Sequence, residues 1–166
     1  MSEGITVRRA TEQDAPIVAR HRAAMFRDMG TLPPEQDPPL EREAGAYFRQ
    51  AIPAGSYIGW LASPDGRPNK VVAGAGIQLR EMIPRLRLDR SGVDLGPQGL
   101  IVNVYTEPAW RRRGIAERLM REILRFTRER GIDNVVLHAS AEGRSLYEKL
   151  GFRQTNEMRY EVPSSG

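Results

Sequence analysis

Leu100-Ile101-Val102-Asn103-Val104-Tyr105 runs through Thr106-Glu107-Pro108-Ala109-Trp110 into Arg111-Arg112-Arg113-Gly114-Ile115-Ala116, and this stretch decides the fold. The first six residues form an apolar run that reads as a buried strand. A helix is predicted to follow, with Ile115, Leu119, Ile123 and Phe126 near one face and Arg118, Arg121, Arg125 and Arg128 elsewhere. Gly131 stands where a glycine ends a helix. Strand, short loop and helix therefore form one unit, and the rest of the chain is arranged around it.

Upstream, Ile5-Thr6-Val7-Arg8 alternates as a strand does. Thr11-Glu12-Gln13-Asp14 resembles a capping box, and Ile17, Val18, Ala24, Met25 and Met29 supply an apolar face for a helix ending near Gly30. Residues 31–39 are a proline-rich loop, and helical pattern resumes from Leu40 to Ala51. Ser56 to Ala62 and Val71 to Leu79 read as a hairpin around the turn residues 63–68. Arg80 to Pro97, with mixed charge, two prolines and two glycines, reads as a loop. Downstream, Val135 to His138 reads as a short strand and Glu142 to Leu150 as a short helix ended by Gly151. Phe152 to Val162 is expected to be a last strand. With no repeat and no long linker, residues 1–166 are expected to make a single domain of mixed α/β class around one central sheet.

Composition narrows the chemistry. The 166 residues include no cysteine, which removes disulfides, thiolate nucleophiles and an acyl-cysteine route. His21 and His138 are the only histidines and lack metal-site spacing, so no metal is expected. The net charge is +4, and Lys70 and Lys149 are the only lysines, so the basic side is nearly all arginine. Aromatic residues make up only 7% of the chain, too few to alternate with the arginines as stacking platforms, and the notable arginines cluster at one helix start; no nucleic-acid partner is expected. No apolar run approaches the ~18 residues of a membrane span, and the N-terminus lacks a secretory layout. No membrane association and a cytoplasmic location are the corresponding expectations.

The start of the helix at Ile115 has the physical make-up of a phosphate site. A helix N-terminus exposes unpaired N–H groups and carries about half a positive charge. Gly114 and Ala116 keep the first turn narrow, and Arg111, Arg112 and Arg113 precede it. Cations there oppose the helix dipole at a cost of up to ~1 kcal/mol, so three in a row call for an anionic partner. No Gly-Lys-Ser/Thr follows and no G-x-G-x-x-G is present, which excludes a P-loop and a dinucleotide fingerprint. The competing reading is a solvated helix with a basic start.

Arg111-x-x-Gly114-x-Ala116 after a strand, together with Ser145-Leu146-Tyr147-Glu148-Lys149-Leu150-Gly151-Phe152 about thirty residues later, resembles the GNAT N-acetyltransferase superfamily. The element order from Ile5 to Val162 is similar as well. The resemblance implies a mostly antiparallel mixed sheet flanked by helices, with splayed central strands, and acetyl-CoA as acyl donor. It implies that the CoA pyrophosphate rests on the amides of Arg112, Arg113, Gly114, Ile115 and Ala116. The pantetheine arm would run along Val102, Asn103 and Val104, with Ser140 also in contact. Tyr147 would face the thioester sulfur as general acid.

A phenol of pKa ~10 is protonated at pH 7 and can donate to a leaving thiolate; alternatively Tyr147 is a core residue before a Gly-Phe turn. Many GNAT enzymes place a glutamate on the strand matched by Leu100–Tyr105, and no acid stands there in this chain. Glu81, Glu107 or a water chain remain as candidate bases. Asn103 either contacts the acceptor or satisfies a strand bulge, and His21 either faces the acceptor or is a buried structural histidine. The expected function is acetyl transfer to a primary amine, of a small molecule or a peptide, by direct attack in a ternary complex. The alternatives are transfer of a longer acyl group, or a non-catalytic acyl-CoA-binding regulatory module. A second copy of the chain is a candidate partner.

Overall fold

The computed structural model describes residues 3–165. Strand β1 (Ile5–Arg9) leads to helix α1 (Ala15–Asp28), a proline-rich loop and helix α2 (Asp37–Ala54). The box at the first helix is present: the Asp14 carboxylate accepts the Thr11 N–H at 2.7 Å and anchors a 3-10 turn ahead of α1. The Arg8 guanidinium, 2.8 Å away on both oxygens, holds the Asp14 carboxyl below its usual range. Strands β2 (Tyr57–Pro64) and β3 (Ala73–Arg80) form the hairpin, followed by the short strands β4 (Arg85–Leu86) and β5 (Val93–Asp94). Strand β6 (Gln98–Thr106), helix α3 (Ile115–Glu129), strand β7 (Val135–Leu137) and helix α4 (Arg144–Lys149) complete the elements.

The main sheet has the order β1-β2-β3-β6-β7. All pairs are antiparallel except β6–β7, which is parallel. Two cores lie on opposite faces. One joins Trp60, Ile77, Ile101 and Trp110 with Ile115, Leu119, Met120, Ile123 and Phe126 of α3. The predicted apolar stripe of α3 is thus its buried face, at 0–5% exposure from Ile115 to Phe126. The other joins Val18 and Ala19 of α1, Ala44 and Phe48 of α2, and Tyr57 and Leu61 of β2.

Two expectations are corrected. Residues 80–97 carry a small two-stranded ribbon, β4–β5, instead of a plain loop. Phe152 to Val162 forms no strand. Its alternation is strand-like, but β7 is only three residues long and offers little edge to register it, and Met158, Tyr160 and Val162 remain 79–93% exposed.

Candidate active site

β6 is held unequally along its two sides. Its ladder with β7 covers only Gly99↔Val135, Leu100↔Val136 and Ile101↔Leu137. The ladder stops at Ile101 because β7 ends at Leu137, so Val102 to Thr106 has no strand on that side among the described residues. On the other side the register with β3 slips: Gly76 faces Val102 and Gly74 faces Tyr105. Ala75 is therefore opposed by both Asn103 and Val104, a bulge that bends the strand. Asn103 supplies the required left-handed backbone with φ 63°. Asparagine is one of the few residues that visit this region readily.

The Asn103 side chain is buried at 4% exposure, and its Nδ2 donates to the Val18 carbonyl of α1 at 3.1 Å. Its Oδ1 is buried without a hydrogen-bond partner among the described residues, and so are both ring nitrogens of His21. His21 is 1% exposed and lies with its ring 5.1 Å from that of Tyr105. A Cβ on Gly74 would come within 3.0 Å of His21 Nδ1, so glycine there makes room for the imidazole. Burial, with a smaller contribution from Arg20, pushes the His21 pKa down to about 4. His21 is thus a neutral buried histidine supporting β6 from the α1 side.

The loop after β6 brings the arginines to the helix start but uses them differently. Arg111 is turned back: its Nη2 meets Asp28 at 2.5 Å and its Nε donates to the Thr106 carbonyl at 2.8 Å. That pins the end of α1 to the end of β6, and Asp28 and the adjoining burial of Tyr105 were not visible as a unit in the sequence. Arg113 lies over the Trp110 ring, 4.7 Å from its centroid, with Lys70 at 5.5 Å from the same ring. Arg112 has φ 62°, and its guanidinium makes no hydrogen bond or ion pair among the described residues. Gly114 is the N-cap of α3 with φ 76°, a value that strains residues with a Cβ. Nothing lies within 4 Å of a Cβ built there, so its surroundings are open.

The first amide of α3 to find a helical carbonyl is that of Arg118, on Gly114. The amides of Arg112, Arg113, Gly114, Ile115, Ala116 and Glu117 donate to no backbone carbonyl among the described residues. The N-cap glycine has no side chain to occupy them. Free amides, the helix dipole and the exposed Arg112 and Arg113 together suit a diphosphate, so the residues present fit the cofactor that the sequence implies.

On the far side of the gap, Ser140 follows β7 and its Oγ accepts the Gly143 N–H at 3.2 Å. Tyr147 is brought against the same glycine: a Cβ on Gly143 would fall 2.8 Å from its ring and 3.3 Å from Ser140 Oγ. The Tyr147 ring packs edge-on to Phe152 at 6.2 Å, and burial raises its pKa above the ordinary phenol value. The Tyr147 hydroxyl makes no hydrogen bond among the described residues. Of the carboxylates considered as bases, Glu81 follows the end of β3 and Glu107 follows the end of β6. These strands are antiparallel, so the two acids lie at opposite ends of the sheet and cannot serve the same spot. No group of three or more metal-binding side chains occurs among the described residues, and no described helix is long and apolar enough to cross a membrane.

The Acetyltransferase (GNAT) domain profile matches residues 58–154. Glucosamine 6-phosphate N-acetyltransferase 1 of rice is 30% identical over 121 residues, covering 72% of this chain and 68% of the relative. The crystal structure of a GCN5-related N-acetyltransferase from Ralstonia eutropha superposes with a TM-score of 0.83 at 31% identity, covering 96% of this chain and 99% of that one. A predicted acetyltransferase from Clostridium acetobutylicum, crystallised with acetyl-CoA, gives a TM-score of 0.79 at 27% identity over 96% of each chain. A mixed sheet whose parallel β6–β7 ladder stops at Ile101, followed by a helix start with free amides, thus belongs to a known class: this chain is a member of the GNAT acetyltransferase family. It is an acetyl-CoA-dependent acyltransferase that acts on amines.

Proposed function

We propose that the chain transfers an acetyl group from acetyl-CoA to a primary amine, in a small molecule or a peptide, by direct attack within a ternary complex. The observation that carries this is the run of unpartnered amides from Arg112 to Ala116, set at the end of a strand whose next-door side is open from Val102 onward. The diphosphate of the donor rests on those amides, with Arg112 and Arg113 screening its charge. The arm of the donor pairs with the main chain of Val102, Asn103 and Val104, and Ser140 flanks it. Arg111 acts indirectly, by tying the loop to α1.

The acceptor nitrogen attacks the thioester carbonyl carbon, a C–N bond forms, the C–S bond breaks, and the nitrogen loses a proton. Tyr147 donates its O–H toward the departing sulfur. Burial raises its pKa above the ordinary phenol value and so further above that of a thiol, which makes complete proton transfer to the sulfur uphill. Hydrogen bonding to developing thiolate charge is therefore the phenol's main contribution. An ordinary amine of pKa ~10.4 must first lose its proton, at a cost near 4.6 kcal/mol at pH 7. β6 carries no carboxylate between Gln98 and Thr106, so the proton leaves through Glu81, Glu107 or water.

The test is Tyr147→Phe, which keeps the ring against Phe152 and removes only the hydroxyl. The expected result is a kcat lower by about a hundredfold with the KM for acetyl-CoA unchanged, because the sulfur gains charge only in the transition state. Equal kcat in the two proteins, where chemistry limits the rate, removes Tyr147 from the mechanism. Wild-type protein that binds CoA but turns over no amine would mark a non-catalytic module.

A further inference from the structure

One row of residues crosses three strands. Gly59 of β2 is paired with Gly76 of β3, and Gly76 with Val102 of β6. The row lies on the face of the sheet covered by α1 and α2: Tyr57 and Leu61, two residues to either side of Gly59, belong to that core, and residues two apart in a strand share a face. Two neighbouring positions of the row thus have no side chain. The Tyr57 ring lies in the trough they leave. A Cβ on Gly59 would come within 3.1 Å of the ring, and a Cβ on Gly76 would overlap the hydroxyl. The ring therefore crosses from β2 over β3 with its hydroxyl toward β6. Neighbouring strands are about 4.8 Å apart, so the hydroxyl over Gly76 stands about one strand spacing from Val102.

This hydroxyl has no task inside the fold. Tyr57 is 2% exposed, and its ring packs against Phe48 at 4.7 Å. The hydroxyl, with one donor and two lone pairs, makes no hydrogen bond among the described residues. The side-chain atoms sealed from water without a partner are the two His21 ring nitrogens, Arg80 Nε and Asn103 Oδ1. The Tyr57 hydroxyl is not among them, so it keeps access to open space. Around it Gln78, the cross-strand partner of Tyr57, donates to the Tyr47 hydroxyl at 3.0 Å, and Val102 is half-buried. The charges that bear on the Tyr57 hydroxyl come from Arg22 of α1 and Tyr47 of α2, and no carboxylate is among them. Burial raises its pKa above the ordinary phenol value, so it stays protonated. For an amine beside it, burial and Arg22 both favour the neutral form over the ammonium.

We propose that the Tyr57 hydroxyl receives the acceptor nitrogen: its oxygen accepts an N–H of the neutral primary amine and aims the nitrogen lone pair at the acyl group lying along Val102. This rests on the acyl-transfer reading and names a residue on the acceptor side of it. A hydroxyl that accepts from N–H leaves the lone pair free, whereas a carboxylate would hold the amine as an ammonium with no lone pair to attack with. Tyr57 neither gives up nor takes a proton, and the proton lost by nitrogen leaves by the routes already named. Tyr147 packs against the core of the opposite face of the sheet. One phenol thus serves the departing sulfur and the other the incoming nitrogen. The bare positions at Gly59 and Gly76 are part of the site, because a side chain at Gly76 would displace the hydroxyl.

The test is Tyr57→Phe in the full chain, which keeps the ring in its trough and removes only the oxygen. Ethanolamine, glycinamide, spermidine and tetra-alanine serve as acceptors, with release of free thiol from acetyl-CoA as the readout. Calorimetry gives the affinity for CoA, and circular dichroism checks the fold. The expected result is a kcat/KM for the amine lower by about tenfold, as for one lost hydrogen bond, with the affinity for CoA unchanged. A ring that only supports the sheet would instead lower the affinity for CoA and the thermal midpoint together with the amine term. That outcome, or an equal kcat/KM in the two proteins, overturns the proposal and leaves acyl transfer in place. Wild-type protein that turns over none of the four amines overturns the acyl-transfer reading and the proposal with it.

Discussion

The two sides of β6 differ in how they are satisfied. Toward β3, seven registered pairs run nearly its whole length; toward β7, three pairs cover only its start. The closed side is backed by buried groups: Gly74 admits His21, and Asn103 is tied to α1 through the Val18 carbonyl. The open side ends at a helix whose first amides have no backbone partner. A strand normally spends its main-chain hydrogen-bonding groups on its neighbours. Here one side does so and the other leaves donors and acceptors unpaired by any strand among the described residues. The bulge at Asn103 connects the two, because the residue that disturbs the β3 ladder stands where β6 departs from β7. Stability should therefore respond to changes on the closed side and cofactor binding to changes on the open side.

The largest expected effect is on the closed side and depends on pH. His21 titrates near 4 when folded and near 6.5 when unfolded, so the unfolded chain takes up a proton that the folded chain resists. Stability is then complete above about pH 6.5 and falls as the pH drops toward 4, by about 3 kcal/mol in all. Urea midpoints at pH 7 and pH 4.5 measure this. His21→Gln should flatten the slope whatever its effect at pH 7, and an unchanged slope would assign the loss to other groups. Asp14, held low by Arg8, acts below pH ~3.8 and lies outside this window.

A smaller effect is expected at Asn103, where the two sides meet. Asn103→Ala removes the bond to Val18 and leaves the left-handed backbone without the polar side chain that helps asparagine tolerate it, at a cost of up to about 1–2 kcal/mol. Asn103→Gly removes the same bond and relieves the strain. If the bulge sets the opening, alanine should raise the KM for acetyl-CoA several-fold more than glycine does, as read in steady-state kinetics. Equal KM values for the two variants would detach the bulge from cofactor binding and leave it a feature of the closed side alone.

Much of the open side is legible in the sequence because it is local. The apolar run at 100–105, the arginine-glycine loop and the four-residue stripe of α3 sit within thirty residues, and each obeys a short-range rule. The closed side depends on pairings far apart in sequence. That Arg111 is taken up by Asp28, eighty-three residues away, follows from the packing of α1 on β6 and not from the loop's own pattern. The register slip between Gly74 and Gly76 needs both strands to be known. An asparagine inside an apolar strand is the one local hint of it in the sequence. The C-terminal arm shows the reverse failure. Its alternation is a strand pattern, but a pattern states only that one face can be buried, and in this chain β7 is too short to bury it.

The most direct measurement is a crystal structure of the protein grown with CoA. The account predicts diphosphate oxygens within about 3 Å of the main-chain nitrogens between Arg112 and Ala116, the usual N–H···O distance, and the pantetheine amides alongside Val102 to Val104. A diphosphate held elsewhere by arginine side chains, with those nitrogens free and the gap between β6 and β7 empty, would contradict it.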